Sequence, residues 1–233
     1  MRQFTPYLFL LLAASFLYSC KSAKLSDAEE KQRIGEYFEA AAIYRKVYTK
    51  TPPAKRDLRG YIAFRMAECN RLINNTPRAT SAYMNALRYK YPDSIVNLRL
   101  GQMYQKSGRY GEAIKYYNDY LLAEPGSVLA FNGVTGSEEA VKWKQSPTRY
   151  TVKRMDKFNS RRSEFSPMLY GEKYDQLYFA STRTPKGAGK DKEETNSAIT
   201  GQRNNDFFLV KQDENGAWQA PVELEDEVNT EFD

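Results

Sequence analysis

The sequence contains no histidine among its 233 residues, and it contains only two cysteines. The first absence excludes Ser-His-Asp triads, histidine metal sites and histidine proton shuttles together. Two cysteines are too few for a zinc cluster or a disulfide-stapled scaffold. A mean hydropathy of −0.71 excludes a membrane protein with many spans. With 41% hydrophobic and 27% charged residues, the composition favours a globular protein that is not an enzyme and holds no metal or cofactor.

The first twenty residues have the pattern of an export signal. A positive start at Arg2 precedes an apolar run at 7–17, which is too short to cross a ~30 Å hydrocarbon core and is typical of a signal peptide. The following Leu-Tyr-Ser-Cys resembles the lipobox of bacterial lipoproteins. This resemblance implies that 1–19 is removed, that Cys20 is lipidated, that 20–23 links the anchor to the folded chain, and that the protein lies at the outer membrane, facing the periplasm. An ordinary signal peptide with a coincidental cysteine is the alternative, and Cys69 is then expected to be a packed, unreactive thiol.

A period of about 34 residues runs through 24–144. The clearest copy, 94–125, has small residues where two helices approach and tyrosines between them: Leu100, Gly101, Tyr104, Gly108, Tyr110, Ala113 and Tyr117, ending at Pro125. These positions resemble the tetratricopeptide repeat (TPR). An earlier copy has Gly35, Tyr37, Ala40 and Tyr44. A degenerate copy at 60–92 replaces the glycine turn with Asn74-Asn75-Thr76-Pro77, and 127–143 is predicted to be a capping helix. We therefore expect a solenoid of three repeats and a cap.

In such arrays, one face of each first helix lines a concave groove for a partner. The spacing of side chains in the second and third repeats places two sets on one helix face each. The predicted groove consists of Tyr61, Phe64, Glu68, Arg71, Gln102, Gln105 and Lys106. The alternative, left open here, is that the apolar members belong to the core and the polar ones are only solvated.

Charge divides the chain into two parts. The segment 20–144 has 21 basic and 13 acidic side chains, a net charge of +8, whereas 145–233 has 13 and 16, a net charge of −3. A basic array could indicate nucleic acid, but a lipidated envelope protein does not meet it. The sequence favours an acidic protein partner, anionic lipid headgroups or cell-wall carboxylates, or simply a solvated face.

After Pro147 the helical period gives way to strand-like runs. The sequence predicts strands at 150–152, 176–181, 206–210 and 218–224, with a flexible polar insertion at 185–205. Four such strands would form one antiparallel sheet of the size of a propeller blade.

Several motifs in this part resemble the WD-like propeller repeats of TolB-type periplasmic proteins. They are Phe165-Ser166-Pro167, the run 177–183, the run 206–210 and the run from Trp218 through Pro221 to Leu224, followed by Val228-Asn229-Thr230. The resemblance implies that 145–233 is the first blade of a propeller. It also implies that Arg183, Asp206, Trp218 and Pro221 have structural roles. Because 228–233 resembles the lead-in at 158–160, we expect an incomplete propeller and a longer natural protein. The predicted fold class is α + β, a TPR solenoid followed by blade-type antiparallel strands.

The combination of lipobox, TPR array and propeller repeats resembles the PorE-like lipoproteins of Bacteroidota, which continue into an OmpA-like peptidoglycan-binding domain and accompany the type IX secretion system. The runs 62–72 and 143–150 support this resemblance. It implies a non-enzymatic outer-membrane scaffold that binds envelope proteins through its TPR groove, and peptidoglycan only in a form with the C-terminal domain. The alternatives are a TolB-like or SusD-like binding or uptake lipoprotein. A prolyl-oligopeptidase relative would need a G-x-S-x-G elbow and a histidine, which are missing here.

Overall fold

The structure, a computed structural model, describes residues 23–184, 196–225 and 228–229. The predicted signal peptide, Cys20 and the stretch 185–195 of the predicted insertion lie outside these residues. The described residues form seven helices and then four strands. The helices are α1 (Leu25–Arg33), α2 (Tyr37–Lys50), α3 (Arg56–Leu72), α4 (Thr76–Arg88), α5 (Ile95–Lys106), α6 (Tyr110–Ala123) and α7 (Val128–Gln145).

Successive helices pack against each other as antiparallel hairpins, α1 with α2, α3 with α4 and α5 with α6, which gives a TPR-like solenoid. A small residue occupies the equivalent position of each first helix: Ala28 and Ala67 are 39 residues apart, and Ala67 and Gly101 are 34 apart. All three are buried. A small side chain at this position lets the second helix of the hairpin approach closely, and the same physical requirement therefore recurs in each repeat.

The turn between the two helices of each hairpin uses one residue in the left-handed region of backbone space. This residue is Gly35 (φ 88°), Asn74 (φ 63°) and Gly108 (φ 71°) in the three repeats. Asparagine tolerates this conformation better than most side chains because its short amide hydrogen-bonds locally. The degenerate second repeat thus makes the same turn as the other two, as its run of turn formers predicted.

Two apolar clusters fill the array. One lies between α1, α2 and α3 around Tyr44, and the other extends from α3 to α7 around Tyr83 and Tyr117. The partly buried side chains of Tyr48 and Met66 pack against both clusters. Because these two side chains join the clusters, the hairpins share one continuous core, as expected for a solenoid whose repeats stack on their neighbours.

The predicted capping helix corresponds to α7, which packs on α6 and α5. Its N-terminus is capped by Ser127, whose hydroxyl accepts from the backbone N–H of Ala130 at 3.3 Å. A terminal cap usually has a polar outer face. Here Phe131 and Trp143 are 64% and 68% exposed, so α7 presents more apolar surface than a cap normally does.

The strands form one antiparallel sheet in the order β1 (Glu164–Tyr170), β2 (Gln176–Ser181), β3 (Asp206–Lys211) and β4 (Val222–Glu223). Two of the predicted strands are confirmed as β2 and β3. The fourth is shorter than predicted, and the strand predicted at 150–152 is wrong because that segment has no paired neighbour and is exposed. The described residues contain this single sheet, whereas a propeller consists of several sheets around a channel; a propeller is not shown.

Strand β1 was missed because Pro167 interrupts its pattern. Proline is tolerated at a sheet edge or a bulge, where its missing N–H is not needed. Strand β1 is an edge strand, and its pairing shifts between Phe165 and Met168, which leaves Ser166 (φ 53°) and Pro167 opposite one residue of β2. The bulge therefore explains how this sequence enters the sheet.

One turn of the sheet region returns to the first hairpin. The backbone N–H of Phe38 donates to the carbonyls of Ala198 and Ile199 at 3.2 and 3.1 Å, and the N–H of Glu39 donates to Ala198 at 3.4 Å. These are N–H groups of the first turn of α2, which have no partner within their own helix. The stretch 196–205, the described part of the predicted flexible insertion, thus caps α2; flexibility of the whole insertion stays a prediction.

None of the helices in the described part of the chain is long and apolar enough to cross a membrane.

Candidate functional site

All the residues of the predicted groove belong to α3 or α5, the first helices of the second and third repeats. We call the side formed by α1, α3 and α5 the first-helix face; it bears Tyr61, Phe64, Glu68, Arg71, Gln102 and Lys106. Contacts across this face join successive repeats. The Tyr61 hydroxyl of α3 donates to Glu29 of α1 at 2.8 Å. Burial and this hydrogen bond raise the pKa of Tyr61 to about 12. The first-helix face is therefore held together by its own side chains.

Glu68 is the centre of this face. Its carboxylate pairs with Arg71 at 2.7 Å on its own helix and with Arg99 of α5 at 3.2 Å, and it accepts a hydrogen bond from the buried Tyr83 hydroxyl. Burial alone would raise the pKa of Glu68, but the hydrogen bonds from Arg71 and Tyr83 and the charge of Arg99 outweigh burial and lower the pKa below its ordinary value. The Glu68 carboxylate, 14% exposed, thus links the second repeat to the third.

Phe64 and the predicted groove residues Gln102 and Lys106 of the third repeat also contact other residues of the array. The Phe64 ring stacks on Tyr91 with centroids 4.4 Å apart. Gln102 accepts a hydrogen bond from Arg99 at 3.1 Å, and the Lys106 ammonium donates to Asn74 of the preceding repeat. Each of these predicted groove residues therefore has a partner inside the array.

Gln105 belongs to the packing of the third repeat. Its Oε1 accepts a hydrogen bond from the Tyr117 hydroxyl at 2.7 Å, and its Nε2 donates to the carbonyl of Gly133 at 3.4 Å. The equivalent pair in the first repeat is Tyr44 with Gln32, at 2.9 Å. Burial raises the pKa of Tyr117 to about 12. This recurrent pairing satisfies the hydroxyl of a buried tyrosine, which explains the glutamine without a partner protein.

The other predicted TPR positions occupy the interior or the turns. Tyr44, Ala40, Ala113 and Tyr117 are buried, Tyr104 is stacked on Tyr116 with centroids 5.3 Å apart, and Tyr37 and Tyr110 begin the second helices of their hairpins.

A cavity opens on the opposite side of the array, between the second helices of the first two repeats. This cavity, which we call the second-helix cavity, has a volume of about 790 Å³ and lies between α2 and α4 above the C-terminal half of α3. Small side chains of α2 and α4, including Ala41, Ala42, Ser81 and Ala82, line it. Four basic residues also line it: Arg45, Lys46, Lys50 and Arg78. Among its described lining residues none is acidic.

The two surfaces therefore differ in how their charges are balanced. Arg71 and Arg99 on the first-helix face both pair with Glu68. Within the part of the chain that the structure describes, the guanidinium groups of Arg45 and Arg78 form no ion pair with an acidic side chain. The residues three and four positions before and after each arginine are uncharged. This charge spacing is a sequence signal of the second helices, and the 34-residue period does not reveal it.

The described residues contain no cluster of acidic, cysteine or histidine side chains that could hold a metal ion. Cys69 is buried between α1 and α3, and burial raises the pKa of its thiol to about 12. A protonated, buried thiol is a poor nucleophile. Cys69 thus offers no reactive site.

The predicted structural residues of the sheet lie at its junctions. The Arg183 guanidinium donates to Glu164 of β1 at 3.1 Å and to Ser181 of β2 at 3.0 Å, and it also donates to the carbonyl of Phe158. Asp206 pairs with Arg203 at 2.7 Å. These contacts join strands and loops.

Trp218 packs edge-on against Phe158 with ring centroids 5.5 Å apart, and Pro221 directly precedes β4. Asn229 was not singled out as a structural position, yet its amide bonds the N–H and carbonyl of Phe207 at 2.7 and 3.1 Å and so secures the segment after β4.

Comparisons with known proteins bear on the helical part. The family model of the tetratricopeptide repeat matches 96–127, which covers α5 and α6. Among solved structures, the crystal structure of MamA protein is similar to this chain at 18% identity, over 51% of this chain and 84% of that one, with a TM-score of 0.32, a value too low to carry an argument. A search of curated proteins finds no match. The comparisons thus support a tetratricopeptide repeat at 96–127, within the TPR-like array of helices.

Proposed function

We propose that the chain is a non-enzymatic scaffold that binds a protein partner through its helical array. The observation that carries this proposal is the stack of three helical hairpins with a tetratricopeptide repeat at 96–127. Arrays of this kind expose extended surfaces on which partner proteins dock, and they typically serve as interaction scaffolds.

The proposal extends to the location of the scaffold. The lipobox-like segment ending at Cys20 supports a lipid anchor at the outer membrane, facing the periplasm. The start of α1 at Leu25 would place the array within a few residues of that anchor. The resemblance to PorE-like lipoproteins supports a role beside the type IX secretion system, with attachment to peptidoglycan in a form that carries an OmpA-like domain.

Photo-crosslinking in the native cell tests the scaffold proposal. A benzophenone amino acid is placed at Leu72 on the first-helix face, at Ser81 in the second-helix cavity and, as a control, at Tyr174 in the exposed turn between β1 and β2. We expect a discrete crosslinked protein from at least one array position and none from the control. The same products from all three positions, or no product from either array position, would contradict the proposal.

Metabolic labelling with a palmitate analogue tests the anchor separately. The wild-type chain should incorporate the label and fractionate with the outer membrane, whereas Cys20→Ser should do neither. Retention of label in Cys20→Ser would refute lipidation at this residue. Because the array is untouched by this substitution, the outcome leaves the scaffold proposal to its own test.

A further inference from the structure

The second-helix cavity differs from the first-helix face because three of its basic residues, Arg45, Lys46 and Arg78, form no ion pair within the described residues. It has about 790 Å³ of space, which is within the range of ligand-binding clefts. Arg45 and Lys46 approach it from α2, and Arg78 approaches it from α4. On the first-helix face, in contrast, Arg71 and Arg99 both pair with Glu68. An anionic group in solution therefore meets three basic side chains without an acidic partner at the cavity, whereas Arg71 and Arg99 on the first-helix face already share the Glu68 carboxylate.

The shape of the cavity suits an extended chain segment. Its wall along α2 runs from Phe38 to Lys50, a distance of about 18 Å at 1.5 Å per residue. An extended peptide of five or six residues covers that length at about 3.3 Å per residue. Small side chains on both helices, such as Ala42 and Ser81, allow the backbone of such a peptide to approach closely.

Polar groups suited to a peptide backbone are also present. The Asn85 side chain lines the cavity and makes no hydrogen bond within the described residues, so its amide is available both to donate and to accept. At the opposite end, Phe38 provides an aromatic surface that the turn containing Gly201 already covers on one side. The cavity thus combines an amide that can hydrogen-bond to a peptide backbone, an apolar end and a basic rim.

We propose that the cavity between α2 and α4 binds an acidic, extended segment of a protein partner, with Arg45, Lys46 and Arg78 pairing with its carboxylates. This inference rests on the proposed scaffold function and specifies the place and chemistry of one contact. It moves the docking site for an acidic partner from the first-helix face, where the sequence alone put the groove, to the face formed by the second helices.

Fluorescence anisotropy with the full chain tests the proposal. The probe is a fluorescein-labelled ten-residue peptide of alternating glutamate and serine, and the matched peptide has glutamine in place of glutamate. The first variant reverses the cavity charges (Arg45→Glu, Lys46→Glu, Arg78→Glu). The control variant reverses three exposed charges that do not line the cavity (Lys144→Glu, Lys153→Glu, Arg161→Glu), so the net charge of the two proteins is identical. Circular dichroism establishes that both are folded.

We expect the wild type to bind the glutamate peptide and not the glutamine peptide. Cavity reversal should weaken binding about 10- to 100-fold, as expected for the loss of three partly exposed ion pairs. The control variant should lose less than about threefold through its altered net charge. An equal loss in both variants, or no binding by the wild type, would overturn the proposal.

A second variant separates shape from charge. Ala42→Trp with Ser81→Trp fills the cavity at two exposed positions without changing any charge. We expect it to abolish peptide binding, and unchanged binding would refute the cavity as the site. Vesicles of phosphatidylglycerol test the other anionic surface: cavity-dependent binding to vesicles without peptide binding would assign the charges to a membrane and overturn the peptide proposal.

Failure of the cavity proposal can be distinguished from failure of the scaffold proposal. If cavity reversal leaves the crosslinked product from Leu72 intact and the acidic peptide does not bind, the cavity inference fails while the scaffold stands. If no array position yields a crosslinked protein, the scaffold proposal itself fails, whatever the peptide does.

Discussion

The packing of α7 on the third repeat leads to a sharp prediction for Gly133. The Tyr117 ring lies between two glycines: a Cβ added at Gly101 of α5 would be 2.6 Å from ring atom Cδ1, and one added at Gly133 of α7 would be 2.5 Å from Cε2. Neither distance is tolerated by a real Cβ. Tyr117 is 2% exposed and its hydroxyl is bonded to Gln105, so the ring is held from three sides. Gly133→Ala therefore forces α7 or the ring to move.

The expected change in the free energy of unfolding is the cost of overpacking minus the gain in helix propensity. Overpacking of a filled core costs about 1–3 kcal/mol. Replacing glycine by alanine inside a helix returns about 0.5–1 kcal/mol through helix propensity. We expect Gly133→Ala to reduce the free energy of unfolding by up to about 2.5 kcal/mol, which corresponds to a fall in Tm of up to about 10 °C for a chain of this size.

Thermal and urea unfolding followed by circular dichroism measure this effect. Gly111→Ala is the matched control, because a Cβ at that position of α6 meets nothing within 4 Å. It should leave stability unchanged or raise it by up to about 1 kcal/mol. In a double-mutant cycle, Tyr117→Leu removes the ring, so Gly133→Ala should cost less in that background by about 1 kcal/mol or more.

Two results would refute this reasoning. If Gly133→Ala stabilises the protein as much as Gly111→Ala does, the ring is not confined by α7. If the cost of Gly133→Ala is the same with and without the Tyr117 ring, the destabilisation has another origin.

Three further predictions concern other parts of the structure. Because the pKa of Glu68 is lowered in the folded state, its carboxylate stabilises the fold at pH values above the ordinary pKa of 4.5, and this contribution is lost as the pH falls through the lower folded pKa. Glu68→Gln should reduce the free energy of unfolding by about 1–3 kcal/mol at pH 7 and make stability fall less steeply at acidic pH. An unchanged dependence on acidic pH would contradict the assigned network around Glu68. In a Cys20→Ser protein, the Cys69 thiol, with its pKa raised to about 12 by burial, should resist Ellman's reagent at about pH 8 and react on unfolding in urea, so rapid native labelling would show that it is accessible. Gly201→Ala places a Cβ against the Phe38 ring at φ 70° and should speed hydrogen exchange at the amides of the first turn of α2, whereas Gly216→Ala, with φ 75° and an open surrounding, should not; equal effects would indicate backbone strain alone.

The helical hairpins could be predicted because their requirements are local and recur. A small residue, a left-handed turn and a buried tyrosine return at the spacing of one repeat, and even Asn74 satisfies the turn in the degenerate copy. The strand predicted at 150–152 does not form, because periodicity shows only which segments could be strands, whereas pairing with a neighbouring strand decides which segments form them. Strand β1 was hidden by Pro167, which is excluded from central strands but is accommodated at the bulge of an edge strand.

The candidate site was harder to predict from the sequence than the helical hairpins were. Helical spacing could assign the predicted groove residues to the first helices, but it could not show that Gln105 bonds Tyr117 or that Glu68 reaches Arg99, 31 residues away and in the next repeat. The second-helix cavity depends on the separation of α2 and α4, which is a tertiary distance set by the packing of both helices on α3. Charge spacing within α2 gave a hint of it, because Arg45 and Lys46 have no acidic residue one helical turn away.

The bond between the turn at Ala198 and the start of α2 has a consequence for the order of folding. It joins Phe38 to a residue 160 positions later, whereas the contacts inside the array join residues of the same or adjacent hairpins. Closing the longer loop costs about 1.4 kcal/mol more chain entropy than closing one of 34 residues, if entropy grows as (3/2)RT ln n. Local hairpins therefore form first, and this contact closes last. On a ribosome, the array can be complete while its closing turn is still being synthesised.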